Sequence, residues 1–166
     1  VYYPFFGAIE NAGRKIIRNP LLNRADDYTV DFKGLEHLCR KKENKLIIFC
    51  SPHNPVGRVW TEEELARLAD IVLRYDMIIV ADEIHHDLIM PGYEHKVFQT
   101  LSHAVAERTI TCTSPSKTFN LAGLCTSNII IKNEALRKKM SDALGSVACG
   151  MVGTLGLEGC RVAYNE

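Results

Sequence analysis

Three apolar runs constrain this chain more than anything else in it. They are Lys45-Leu46-Ile47-Ile48-Phe49-Cys50, Met77-Ile78-Ile79-Val80-Ala81 and Thr109-Ile110-Thr111-Cys112. A run without polar alternation marks a strand covered on both faces, as in parallel sheets. Between the first two, Thr61-x-x-Glu64 forms a capping box that opens a helix. Its apolar stripe is Leu65, Leu68, Ala69 and Val72. Strand, helix and strand at this spacing make a βαβ unit with parallel strands. The expectation is an α/β fold: three layers, α/β/α, around a mostly parallel sheet.

The remaining elements are read around that unit. Residues 4–13 have a loose helical spacing (Phe5, Phe6, Ile9, Ala12) stopped by Gly13. Arg14–Leu21 reads as a strand closed by Asn19-Pro20. Asp31–Lys41 reads as a helix with Phe32, Leu35, Leu38 and Cys39 on one face. A short helix is expected near Val97–Val105, and a strand over Cys125–Lys132. Asn133–Gly145 is expected as a helix presenting Leu136, Met140, Ala143 and Leu144. The Gly-rich tail from Val147 turns helical. No repeat, low-complexity segment or linker interrupts the chain.

Size and charge narrow the classes of function. The 166 residues suffice for a core of their own, and 46% are hydrophobic. Twenty basic residues balance twenty acidic ones, which disfavours nucleic acid or an anionic membrane as the main partner. No apolar run is long enough to span a bilayer, and the start does not read as a signal peptide. The six cysteines are not spaced as C-x-x-C, and several sit in apolar runs. Reduced, buried thiols and a cytoplasmic setting are expected. The ends, Val1-Tyr2-Tyr3-Pro4 and Ala163-Tyr164-Asn165-Glu166, read as cuts in a longer protein.

The chemistry-bearing residues follow the three strands. In open α/β sheets ligands sit beyond the carboxyl ends of strands. Asn54 follows the first strand, Asp82 the second and Lys117 the third. A lysine there invites covalent use, since its amine forms a Schiff base with an aldehyde. Ser114 and Ser116, just before it, could hold a phosphate by hydrogen bonds. Pyridoxal phosphate has both groups, and its ring nitrogen needs an acid such as Asp82. Asn54 and His85 are candidates to face its phenolic oxygen. Each residue also has an ordinary explanation. Asp82 could cap a helix, Asn54 could belong to a turn, and the histidines could be half-exposed. Asp82, Glu83, His85 and His86 could alternatively ligate a metal, although the i, i+4 histidine pair of a zincin helix is missing.

Four blocks in this order carry a family resemblance. They are Tyr2-Tyr3-Pro4-Phe5-Phe6, Ser51-Pro52-His53-Asn54-Pro55-Val56-Gly57-Arg58-Val59-Trp60, Asp82-Glu83-Ile84-His85, and Ser114-Pro115-Ser116-Lys117-Thr118-Phe119-Asn120-Leu121-Ala122-Gly123-Leu124. The chain resembles the fold-type I pyridoxal phosphate enzymes of the class I/II aminotransferase superfamily, and within them the cystathionine β-lyase branch. The resemblance covers essentially all 166 residues. It implies that Lys117 binds the cofactor aldehyde and later moves the substrate α-proton. It implies that Asp82 pairs with the ring nitrogen, Asn54 donates to the phenolic oxygen, and His85 stands where aminotransferases carry a tyrosine. Tyr2 would stack on the ring, and Ser114 and Ser116 would hold the phosphate. Cys125 stands where many aminotransferases have a phosphate-binding arginine, a departure that suits the lyase branch. The family also implies a partial large domain over residues 1–166, with a Gly-rich phosphate loop before it, a small domain after it, and a homodimer.

The reaction so implied is α,β-elimination from a sulfur amino acid such as cystathionine or cysteine. A transaminase of the same fold and a truncated, non-catalytic binding domain are the competing readings.

Overall fold

The computed structural model describes residues 1–24 and 27–165. The apolar runs form the centre of a four-stranded sheet. Its strands are β3 (Leu46–Cys50), β4 (Ile78–Asp82), β5 (Thr109–Thr113) and β6 (Asn128–Ile131), in that spatial order. The first three are parallel, and β6 runs antiparallel to β5. The α/β class and the mostly parallel sheet are therefore as the sequence leads one to expect. Before the sheet come α1 (Pro4–Asn11), a small hairpin of β1 (Leu22–Arg24) and β2 (Asp27–Thr29), and α2 (Phe32–Cys39).

The crossover helix α3 (Glu62–Arg74) starts where the capping box places it. Thr61 Oγ1 accepts from the Glu64 amide at 3.2 Å, and the Glu64 carboxylate accepts from the Thr61 amide at 2.8 Å. Such caps contribute about 1 kcal/mol. The stripe Leu65, Leu68, Ala69 and Val72 is buried, together with Ile71. These residues meet Phe32, Leu35 and Cys39 of α2 and Ile79 and Ala81 of β4 in one core. Each large aliphatic side chain so buried contributes about 1.5–3 kcal/mol.

Burial alternates along β4. Ile79 and Ala81 face the core, whereas Ile78, Val80 and Asp82 are half-buried on the other face. The period of two continues past the strand, so Met77 and Glu83 share the core face. The apolar runs alone predict equal cover on both sides. At β4 one face is closed and the other only half-covered, whereas Thr109, Ile110 and Thr111 of β5 are buried on both faces.

Several local expectations need correction. Among the described residues, 14–21 form no regular element. Lys15-Ile16-Ile17 finds no partner strand, and Ile17 is 45% exposed. Asn19 is instead tied to the Asp31 carbonyl at 3.0 Å. The helix expected near Val97–Val105 splits into a 3₁₀ turn, Phe98–Thr100, and the short α4 (His103–Ala106). Ser102 starts the second piece by accepting from the Val105 amide. The strand expected over Cys125–Lys132 begins only at Asn128, because Cys125 has a left-handed φ of 48° that a strand excludes. Cys39 and Cys50 are buried as expected of the thiols, but Cys125 and Cys149 are exposed.

The chain closes with α6 (Glu134–Ser146) and α7 (Thr154–Asn165). No helix among the described residues is long and apolar enough to cross a membrane.

Candidate active site

The site residues gather at the carboxyl ends of the three parallel strands. In the register, Cys50 lies opposite Asp82, and Asp82 lies opposite Cys112. The strand ends are tied together just beyond. The Ser51 amide donates to the Asp82 carbonyl at 2.9 Å, and the Glu83 amide donates to the Cys112 carbonyl at 2.9 Å. Three loops thus leave one edge side by side. One carries Asn54, one carries His85, and the third carries Lys117.

Asp82 is half-buried at the centre. Its Oδ1 accepts from the Ile84 amide at 3.2 Å, so it serves its own turn. Among the described residues it has no ion-pair partner. Burial raises its pKa above the usual carboxylate value, against the opposing pull of the Ile84 amide and His85. A carboxylate in this condition gains strongly from a cation placed against it. His85, also half-buried, is held below the ordinary histidine value by burial, while Asp82 pulls it up and Lys117 pushes it down. One imidazole therefore senses both ends of the candidate site.

Asn54 lies in a tight turn spanned by the His53–Arg58 bridge. Its amide donates to the Cys50 sulfur at 3.4 Å, which fixes the turn against the strand end. Burial pushes the Cys50 thiol up to about 11, with the Asp82 charge adding to it and the Asn54 amide opposing. Burial likewise lowers His53 to about 4, and the nearby chain amino group lowers it further. Tyr2 is 44% exposed, with its ring edge-on to Phe5 at 5.6 Å.

Lys117 sits on α5 (Pro115–Thr118), a single turn that follows β5 directly. Ser114 begins the turn and is 2% exposed. Its Oγ lies 2.7 Å from the Thr126 carbonyl oxygen and 2.7 Å from Ser116 Oγ, and it accepts from the Ser116 amide at 3.1 Å. Ser116 is half-buried. Lys117 is exposed, and among the described residues its amine makes no ion pair. Six of the seven residues singled out from the sequence, Asn54, Asp82, His85, Ser114, Ser116 and Lys117, thus follow three adjacent strand ends, whereas Tyr2 packs against Phe5 near the start of the chain.

The suggested metal set is not assembled. Glu83 is turned into the core at 1% exposure. Its carboxylate meets His95 Nε2 at 2.9 Å and accepts from the Phe98 amide at 3.0 Å. Among the described residues, no group of three His, Cys, Asp or Glu side chains could hold a metal ion. The Glu83–His95 pair is absent from the sequence reading. The signal for it was present, because Glu83 continues the inward set of Ile79 and Ala81 two residues on.

Comparison with known proteins agrees with this geometry. The model of the aminotransferase class I and II family matches residues 1–152, and the chain belongs to that family. It is 40% identical to cystathionine beta-lyase PatB of Bacillus subtilis (strain 168), across 100% of this chain and 43% of that protein. It is 36% identical to a cystathionine beta-lyase of Corynebacterium glutamicum, across 99% of this chain and 42% of that one. Among solved structures, cystalysin from Treponema denticola, which contains a pyridoxal 5'-phosphate cofactor, superposes with a TM-score of 0.98. The two are 52% identical over 100% of this chain and 42% of that chain. The chain spans less than half the length of each of these relatives.

Proposed function

We propose that this chain forms part of the large domain of a pyridoxal phosphate-dependent carbon–sulfur lyase. The observation that carries the reading is the convergence of Asn54, Asp82, His85 and Lys117 at three adjacent parallel strand ends. The donor set fits the cofactor in kind. It offers an amine, a half-buried carboxylate without an ion-pair partner among the described residues, an amide, an imidazole and the hydroxyl of Ser116.

When bound, pyridoxal phosphate supplies an electron sink for charge left on the substrate's α-carbon. Lys117 Nζ would hold the cofactor's aldehyde carbon and, once free, would take the α-proton of the substrate. Asp82 would keep a proton on the ring nitrogen, and that charge would offset the cost of its own burial. Asn54 and His85 would serve the phenolic oxygen, and Tyr2 would cover the ring. Ser116 would present its hydroxyl to the phosphate, while Ser114, buried and donating to the Thr126 carbonyl, anchors the turn. The substrate's Cβ–S bond then breaks and the thiolate leaves. Water completes the balance, giving thiol, pyruvate and ammonia.

A small sulfur amino acid of the cystathionine or cysteine type is the proposed substrate, supported by the two relatives that are cystathionine beta-lyases. We place the protein in the cytoplasm as a homodimer. Six unpaired thiols suit a reducing compartment. Replacing Lys117 by Ala in the intact protein tests the proposal. Pyruvate release from cystathionine should fall by about 10³-fold or more. Release at the wild-type rate would refute it.

A further inference from the structure

Lys117 stands on a helix of four residues, Pro115–Thr118. One turn is not stable by itself, because nucleation costs more than a single hydrogen bond returns. Its position must come from tethers at its two ends. The upstream tether is Ser114, buried and bonded to the Thr126 carbonyl at 2.7 Å. Downstream, Asn120 adopts a left-handed φ of 55° and the chain leaves the sheet. The tether there is Thr118, whose Oγ1 donates to Asp87 Oδ2 at 2.8 Å.

Asp87 lies five residues past Asp82, on the loop that leaves β4. Its Oδ1 lies 3.3 Å from His86 Nε2, and His86 Nδ1 lies 2.7 Å from the Glu83 carbonyl oxygen. Glu83 is locked in the core by Phe98 and His95. The Asp87 carboxylate is therefore referenced to the end of β4 and reaches across to the lysine turn. From the outside, Tyr164 of α7 sets its ring edge-on to Phe119 at 5.1 Å and closes over the same turn.

We propose that Asp87 is a positioning residue that, through Thr118, fixes the turn carrying Lys117 relative to Asp82. This rests on the reading of Lys117 and Asp82 as holding two ends of one rigid cofactor ring. If a single planar group must meet both, the spacing of the two loops has to be set. The Thr118–Asp87 hydrogen bond joins those two loops directly. Neither residue needs to touch the cofactor.

The test compares Thr118→Val, Thr118→Ser and Asp87→Ala in the intact protein loaded with pyridoxal phosphate. Two readouts are taken: the pH midpoint of the cofactor's visible absorbance, and kcat against KM for elimination. Thr118→Val should lower kcat about tenfold with KM little changed. It should also move the absorbance midpoint by about half a unit. Thr118→Ser, which keeps the hydroxyl, should behave as wild type. Asp87→Ala, which removes the acceptor, should move the midpoint in the same sense as Thr118→Val, and it carries the test if the valine variant does not fold. A Thr118→Val protein with wild-type midpoint and kcat would overturn the inference. So would a Thr118→Ser protein as impaired as Thr118→Val, since the role would then be packing. Borohydride trapping on the wild type separates the two levels. With pyridoxyl found on Lys117, such results remove only this inference. Without it, the proposed function falls and takes the inference with it.

Discussion

Asp82 stands directly opposite Cys112 across the parallel pair β4 and β5, and Lys117 follows Cys112 by five residues. The acid and the amine are therefore held apart by one strand spacing plus one short turn. The fold, and not a flexible loop, sets that separation. Much of the chain's testable behaviour follows from what stabilises these strand ends.

Trp60 supports the β3 side. It is 2% exposed, donates from Nε1 to the Cys50 carbonyl at 3.0 Å, and lies 5.7 Å from the Phe49 ring. Trp60→Ala should cost about 3–5 kcal/mol. Trp60→Phe keeps most of the volume but leaves the Cys50 carbonyl unpaired, and should cost about 1–3 kcal/mol. Urea melts of both variants measure the difference.

Glu83 supports the β4 side from within. Its carboxylate satisfies the buried Phe98 amide and His95. Glu83→Ala leaves both without a partner and should destabilise the protein by at least about 2 kcal/mol. Glu83→Gln retains an acceptor and should recover part of the loss in the same melts.

Gly156 marks the close approach of α7 to the segment after the lysine turn. A Cβ there would lie 2.1 Å from Thr126 Oγ1 and 2.9 Å from the Leu124 carbonyl oxygen. Gly156→Ala should cost about 1–3 kcal/mol. Adding Thr126→Ala removes the first clash but not the second, so the double variant should recover only partly. Calorimetry on the two proteins decides this.

His53 gives the fold a pH dependence. Burial holds it down to about 4. In the unfolded chain it takes a proton below about 6.5. Between those values the unfolded state binds the extra proton, so stability rises with pH. Its contribution is complete above about 6.5 and is lost as pH falls toward 4. His53→Gln should flatten the melting temperature against pH within that window. An unchanged slope would place the dependence elsewhere.

Cys50, which is buried, and Cys112, which is half-buried, should both be inert. Burial pushes Cys112, like Cys50, up to about 11, with Asp82 adding to the effect. At pH 8 only about one such thiol in a thousand is ionised. Iodoacetamide at pH 8 should leave both unmodified in the native protein, and mass spectrometry of the peptides reads the result.

The central sheet was legible because its strands are continuous apolar runs, and α3 because Thr61 and Glu64 announce its start. The polar residues were legible for the same reason, since Asn54, Asp82 and Lys117 each follow a run that ends abruptly. What escaped depends on distant partners. Residues 14–21 look like a strand locally but pair with no strand among the described residues. Glu83 and His95 are twelve positions apart, and Thr118 and Asp87 thirty-one, with no periodicity linking them. The sequence from Cys125 reads as one strand with β6, yet the left-handed backbone of Cys125 delays the strand to Asn128. Propensity yields to tertiary context at each of these places.

The most direct measurement is to load the intact protein with pyridoxal phosphate, reduce with borohydride, and map the modified peptide by mass spectrometry. The account predicts a single pyridoxyl group on Lys117. A label on another lysine, or scattered over several, would contradict it.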